Sequence, residues 1–191
     1  MPEFYRKATK AYEQKDLTLL LENSRQVLDL LLDLDELLGS HEYFLLGKWL
    51  KEANSIPESN ESDKRLYEYN ARNQVTLWGP KGEIIDYATK QWNGLVRDYY
   101  YPRWKMFFDY LSLTLIDPFH FPIYNQTRFE EAFMAQVGIP FTESQKSYAE
   151  KPLGNPVKLA LQTYHVWRPK ADLLHQITEI EDLLEPKIEI V

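Results

Sequence analysis

The four histidines, His41, His120, His165 and His175, are the candidate metal ligands and proton carriers in a chain that has no cysteine. No two of them stand at the i, i+4 spacing that places a pair of imidazoles on one helix face, so no zinc site is written in the sequence. The absent cysteines exclude thiolate nucleophiles, disulfides and sulfur-ligated clusters. Gly79 and Gly82 sit in the turn WGPKG, without the Lys-Ser/Thr that completes a phosphate-cradling loop. No serine lies in a nucleophile elbow. Acid–base hydrolysis needs two carboxylates facing each other across a scissile bond, and the 29 Asp and Glu offer no pair that spacing alone selects. Most of them, Asp29, Asp33 and Glu36 among them, are expected on solvated helix faces. The reading is therefore no catalytic residue, no metal and no cofactor within the chain. Asn60-Glu61-Ser62 and Asn125-Gln126-Thr127 fit the N-glycosylation acceptor pattern, which is common by chance.

The dense region is Tyr67–Trp104, which contains YEYNARNQVTLWGPKG and then IIDYATKQWNGLVRDYYYPRW. Asn70, Arg72, Gln74 and Thr76 alternate there with aromatics, and Asp86, Lys90 and Arg103 follow. One reading is a packed helical hairpin whose Trp and Tyr fill a core while the polar groups cap and pair. The other lifts Trp78 on the tight Gly-Pro turn into a ligand site. Carbohydrate sites use aromatic faces of this kind, backed by Asn, Arg and Gln.

The elements that must hold this region read as helices. Asp16 is an N-cap candidate for a helix Asp16–Leu38, in which leucines recur at three- and four-residue steps until Gly39. Pro2–Gln14 forms an antiparallel hairpin with it. Further helices are predicted over His41–Asn54, over Asp63–Leu77 with Asp63 as cap, and over Ile84–Tyr100, which Pro102 stops or kinks. Arg103–Leu115, Thr127–Val137 and Pro156–Trp167 follow, and Lys170–Glu185 reads either as a further, terminal helix or as a frayed end. The sum is an all-α fold of antiparallel helical hairpins, about seven or eight helices, with Pro- and aromatic-rich loops in the last third.

Composition narrows the partners. With 191 residues the chain is long enough for one sizeable core. A net charge of −7 argues against a nucleic-acid binder. The leucine-rich stretch is broken by Glu22, Arg25, Asp29, Asp33 and Asp35, so no membrane span is expected.

LGKWL at Leu46–Leu50, YEYNARNQVTLWG at Tyr67–Gly79 and DYATKQWNGLVRDYYYPRW at Asp86–Trp104 closely resemble the α-N-acetylglucosaminidases of glycoside hydrolase family 89. The resemblance covers the C-terminal all-α domain of those enzymes, from about Phe4 to Trp167, and is weaker after Ile116. It divides the chain into that domain, residues 1–169, and a tail, residues 170–191. It implies an exo-acting hydrolase of terminal α-linked N-acetylglucosamine, with heparan sulfate as substrate in animal relatives. Both catalytic glutamates of such an enzyme stand on a separate (β/α)₈-type barrel that this chain lacks. The implied partners are that barrel and a glycan ending in N-acetylglucosamine. Trp78 is the first candidate wall of the sugar pocket, with Arg72 and Tyr87 in support. The first helix opens two residues after Met1, which suggests a fragment or a separated gene product with apolar surface left uncovered. The alternative is a stand-alone helical interaction module that lost the enzyme. The setting implied is lysosomal for an animal source and periplasmic or secreted for a bacterial one.

Overall fold

A computed structural model of the chain describes residues 2–57, 59–121 and 123–184. Their helices are α1 (Pro2–Glu13), α2 (Leu17–Gly39), α3 (Leu46–Asn54), α4 (Glu61–Gln74), α5 (Tyr101–Ile116), α6 (Gln126–Phe133), α7 (Ile139–Glu143) and α8 (Pro156–Leu184). A 3-10 turn at Glu42–Phe44 and π turns at Val96–Tyr100 and Met134–Gly138 complete the set. Among the described residues there is no strand, only one isolated parallel bridge between Leu45 and Asn93. The fold is all-α, as the periodicity predicts.

Each hairpin begins from its caps. Lys15 turns the chain with a φ of 59°, and the Asp16 carboxylate accepts from the Leu19 N–H at 3.0 Å to open α2. Phe4, Ala8 and Ala11 of α1 then bury against Leu20, Val27 and Leu31 of α2. Each large apolar side chain hidden this way contributes roughly 1.5–3 kcal/mol. Val96, Phe108, Leu111 and Trp167 close this first core. A second core joins Leu46 and Leu50 of α3, Leu77, Tyr99, Phe133 and Phe141. Tyr100, Phe107 and Tyr124 pack against both and weld them together.

Several expectations are corrected. Ser40 closes α2, its N–H and hydroxyl both donating to the Leu37 carbonyl. Gly39 is the last helical residue, needed because a Cβ there would stand 2.9 Å from the Asn93 amide nitrogen. Asn60, not Asp63, caps α4: its side chain accepts from Ser62 and Asp63 N–H, and Asp63 reaches back to the Asn60 N–H. Asn125 caps α6 by accepting from Arg128, so the asparagines of both acceptor tripeptides serve as helix caps. Asp33 is not simply solvated, since it accepts from the Trp167 indole N–H at 2.7 Å and ties α8 to α2.

The predicted helix Ile84–Tyr100 is a loop as far as Asn93. Asp86 and Thr89 take left-handed backbone (φ 62° and 45°), as does Gly94 (φ 86°), so no helix can run through them. Pro102 does not stop the helix that starts at Leu95. The π turn Val96–Tyr100 carries its hydrogen bond from Tyr101 N–H to the Val96 carbonyl. This wider turn clears the carbonyl that the proline ring would strike in an α-helix. Pro140 follows the second π turn in the same way. Pro169 lies inside α8, which is one helix where two were expected. Pro169 and His165 are exposed, so the carbonyl that loses its partner faces water.

Candidate functional site

The loop between Val75 and Asn93 begins where α4 ends. Val75, Thr76 and Leu77 are buried, which fixes the loop's base. The Thr76 hydroxyl donates to the Arg72 carbonyl at 2.7 Å. Asn73 then holds the reversal from both sides: its carbonyl accepts from the Trp78 N–H at 2.8 Å, and its amide donates to the Gly79 carbonyl at 3.0 Å. Trp78 is thereby forced into left-handed backbone at φ 53°, a conformation that costs a non-glycine residue about 1–3 kcal/mol. The returning limb is tied by Asp86 N–H to the Thr76 carbonyl, 2.7 Å. Glu83 accepts from the Lys81 N–H and fills the space beside Gly79, where a Cβ would stand 2.0 Å from its carboxylate.

This folding brings Trp78 and Tyr87 together, ring centroids 5.0 Å apart and planes at 53°. Both are open to solvent, Trp78 at 38% and Tyr87 at 64% exposure, and Ile84 on the same loop is also exposed. Tyr87 follows Asp86, whose carboxylate is paired with the Arg103 guanidinium. Arg103 in turn lies over the Phe133 ring, 4.7 Å from its centroid. Burial pulls the Arg103 pKa below its usual value, with the nearby Glu130 charge opposing the shift. Beside the loop is a cleft of about 720 Å³, walled by Asp86 and Gln91 on one side and by Tyr5, Leu34, Trp104 and Phe107 on the other. Trp78 and Tyr87 do not line it.

Arg72 is elsewhere. It is fully buried, with Nε and Nη2 on Glu68 and Nη2 also donating to the Lys146 carbonyl at 2.7 Å. Its guanidinium lies between the Phe141 and Tyr148 rings, at 5.5 and 5.4 Å. Tyr148 donates to Asp98 at 2.7 Å, and burial first, then Asp98, pushes its pKa up. Arg72 therefore fastens the segment after α7 to the helix that carries the loop.

The other end of the loop is set by Asn93 and Asp35, neither of which sequence reasoning singled out. The Asp35 carboxylate, 1% exposed, accepts from the Gly94 N–H at 2.7 Å, the Arg97 N–H at 3.1 Å and the Asn93 amide at 2.9 Å. The Asn93 N–H donates to the Phe44 carbonyl at 2.8 Å. Gly94 must be glycine, because a Cβ would stand 2.4 Å from the Tyr148 ring. Gly47 of the LGKWL motif is held likewise, with the Ala149 carbonyl 2.4 Å from where its Cβ would be. Among the described residues there is no cluster of three or more metal-ligating side chains, and no helix is long and apolar enough to cross a membrane.

The motif residues thus converge on one loop and its anchors. The family model for the alpha-N-acetylglucosaminidase C-terminal domain matches residues 1–165. The chain belongs to that family. Human alpha-N-acetylglucosaminidase is 38% identical to it over 168 residues, 87% of this chain and 22% of the human protein. A Clostridium perfringens family 89 glycoside hydrolase in complex with 2-acetamido-1,2-dideoxynojirmycin superposes with a TM-score of 0.71 at 27% identity, over 85% of this chain and 19% of that one. A Clostridium perfringens enzyme in complex with its substrate GlcNAc-alpha-1,4-galactose gives a TM-score of 0.69 at 28% identity, over 83% and 18% of the two chains. The alpha-N-acetylglucosaminidase C-terminal domain is therefore the unit described here, and it spans about a fifth of the relatives it matches.

Proposed function

We propose that this domain completes an exo-acting α-N-acetylglucosaminidase, bracing the catalytic barrel and lining one side of the pocket for a terminal α-linked N-acetylglucosamine. The observation that carries the reading is the strained loop that presents Trp78 and Tyr87 side by side to solvent. Strain of this kind persists only where surrounding structure enforces it, and it clusters at functional sites. Two exposed aromatic faces suit the apolar face of a sugar ring. Arg72 acts through the loop it supports and does not touch substrate. The cleft shares Asp86 with the loop, and its apolar floor of Trp104 and Phe107 is the surface for the barrel. The catalytic glutamates belong to that barrel, so the domain is inactive alone. The setting is glycan degradation, lysosomal for an animal source and periplasmic or secreted for a bacterial one.

The test is to combine the domain with the catalytic portion of a relative and assay a chromogenic α-N-acetylglucosaminide. Activity is expected only from the assembled pair. Trp78→Ala and Tyr87→Ala should each lower kcat/KM at least tenfold, about 1.4 kcal/mol, while leaving the melting temperature nearly unchanged. Full activity in the doubly substituted assembly would refute the role.

A further inference from the structure

Asn60 opens α4 with only half of its side-chain amide. Its backbone is extended (φ −80°, ψ 175°), and Oδ1 accepts from the Ser62 and Asp63 N–H groups at 2.8 and 3.0 Å. The carboxamide is planar, so an oxygen held against those two donors turns Nδ2 away from them. Nδ2 has no hydrogen-bond partner among the described residues. Asn60, Glu61 and Ser62 are all exposed, and the Ser62 hydroxyl is likewise unpartnered among the described residues. The cap uses the carbonyl and spares the nitrogen.

That nitrogen is the acceptor atom in the tripeptide Asn60-Glu61-Ser62. In the transfer, Nδ2 forms a bond to the anomeric carbon of an oligosaccharide carried on a lipid diphosphate. The bond from that carbon to the diphosphate oxygen breaks, and Nδ2 gives up one proton. The amide carbonyl survives, so the modified residue still caps α4 through the same two hydrogen bonds.

Position separates the two acceptor tripeptides. Asn60 stands at the end of α4 remote from the Trp78 loop, 14 helical residues or about 21 Å away along the axis. A glycan there clears the loop. Asn125 is also exposed and caps α6 through Oδ1, but its neighbours Tyr124 and Gln126 line the cleft assigned above to the barrel. A glycan at Asn125 would cover that surface.

We infer that Asn60 is an N-glycosylation site of this protein, its amide serving as helix cap and glycan acceptor together. The inference rests on the exported setting of the proposed enzyme, in a eukaryotic source.

The experiment sends the full chain, behind a supplied leader, into the secretory route of a eukaryotic cell. An Asn125→Asp background keeps the α6 cap and leaves one acceptor to read. Mass spectrometry should find one oligosaccharide, on Asn60, which peptide N-glycosidase removes to leave aspartate. Asn60→Asp, which retains a capping oxygen, and Ser62→Ala, which leaves the cap untouched, should each abolish the glycan. Both should melt with the bare parent made in bacteria, and so should the glycosylated chain. A secreted, folded chain bare at Asn60 would overturn the proposal. So would a glycan that survives Ser62→Ala, or a glycosylated chain that melts well below the bare parent. The readout is mass, so it does not move with the sugar-pocket reading. The same peptide is then examined in protein isolated from its own source. A glycan there supports the proposal; a bare Asn60 beside a glycosylated secreted chain would overturn the exported setting, and the native modification with it.

Discussion

Replacing Asp35 with alanine probes the joint on which the loop depends. The carboxylate is 1% exposed and receives the Gly94 and Arg97 backbone N–H groups together with the Asn93 amide. The Asn93 amide keeps a second acceptor, the Asp35 backbone carbonyl at 3.0 Å, and the half-exposed Arg97 guanidinium can return to water. The loss is therefore carried by two backbone donors at the start of the helix, left without an acceptor. Buried donors stranded in this way cost about 1–3 kcal/mol each, so Asp35→Ala is expected to destabilise by about 2–6 kcal/mol. For a domain of this size that lowers the melting temperature by roughly 10 °C. Asp35→Asn retains one acceptor oxygen and should lose about half as much. Thermal melts followed by circular dichroism measure the shift, and hydrogen exchange should show faster opening of residues 86–94. An Asp35→Ala protein melting within 2 °C of the parent would show that the carboxylate does not organise this joint.

Two other outcomes follow from the same geometry. Gly94→Ala meets both a φ of 86° and the Tyr148 ring 2.4 Å from its Cβ, so it should cost at least about 2 kcal/mol, visible as an earlier urea midpoint. The phenols of Tyr99, Tyr100 and Tyr148 are all pushed above their ordinary value of 10.0, by burial in each case and at Tyr148 also by Asp98. The folded state therefore holds protons that the unfolded chain releases, and stability is fully present below about pH 10 and falls as pH rises beyond it. Urea midpoints at pH 9 and 11 should show the decline, and an absorbance titration should find these phenols ionising only as the fold opens.

Where apolar spacing was regular and caps were local, the sequence was sufficient to place the elements. The leucine helix with Asp16 as its cap and the hairpin with α1 are legible because every signal lies within a few residues of its effect. The loop Ile84–Asn93 was misread as helix because Ile85, Ala88, Trp92 and Leu95 happen to repeat at helical steps. The forces that keep it out of a helix come from far along the chain: Arg103 holds Asp86, and Asp35 claims the first N–H groups of the following helix. Trp78 was legible as an exposed turn residue through the Gly-Pro beside it. Its pairing with Tyr87 depends on the closure of Thr76 with Asp86, which no local pattern announces. Arg72 shows the converse, a charged residue in the dense motif that tertiary packing takes wholly inside.

The two π turns, each followed by a proline, also set where the chain length can drift. A π turn holds one residue more than the α turn it replaces, so Val96–Tyr100 and Met134–Gly138 are places where losing one residue would restore an ordinary helix. Here that loss would drive the ring of Pro102 or Pro140 into the carbonyl one turn back. It would also swing every side chain before the deletion by about 100° relative to those after it. Extra residue and proline are consequently a linked pair. Relatives that shorten either helix by one residue should have exchanged the proline as well, and a library of single deletions should recover function at these turns only in a background where that proline has been replaced.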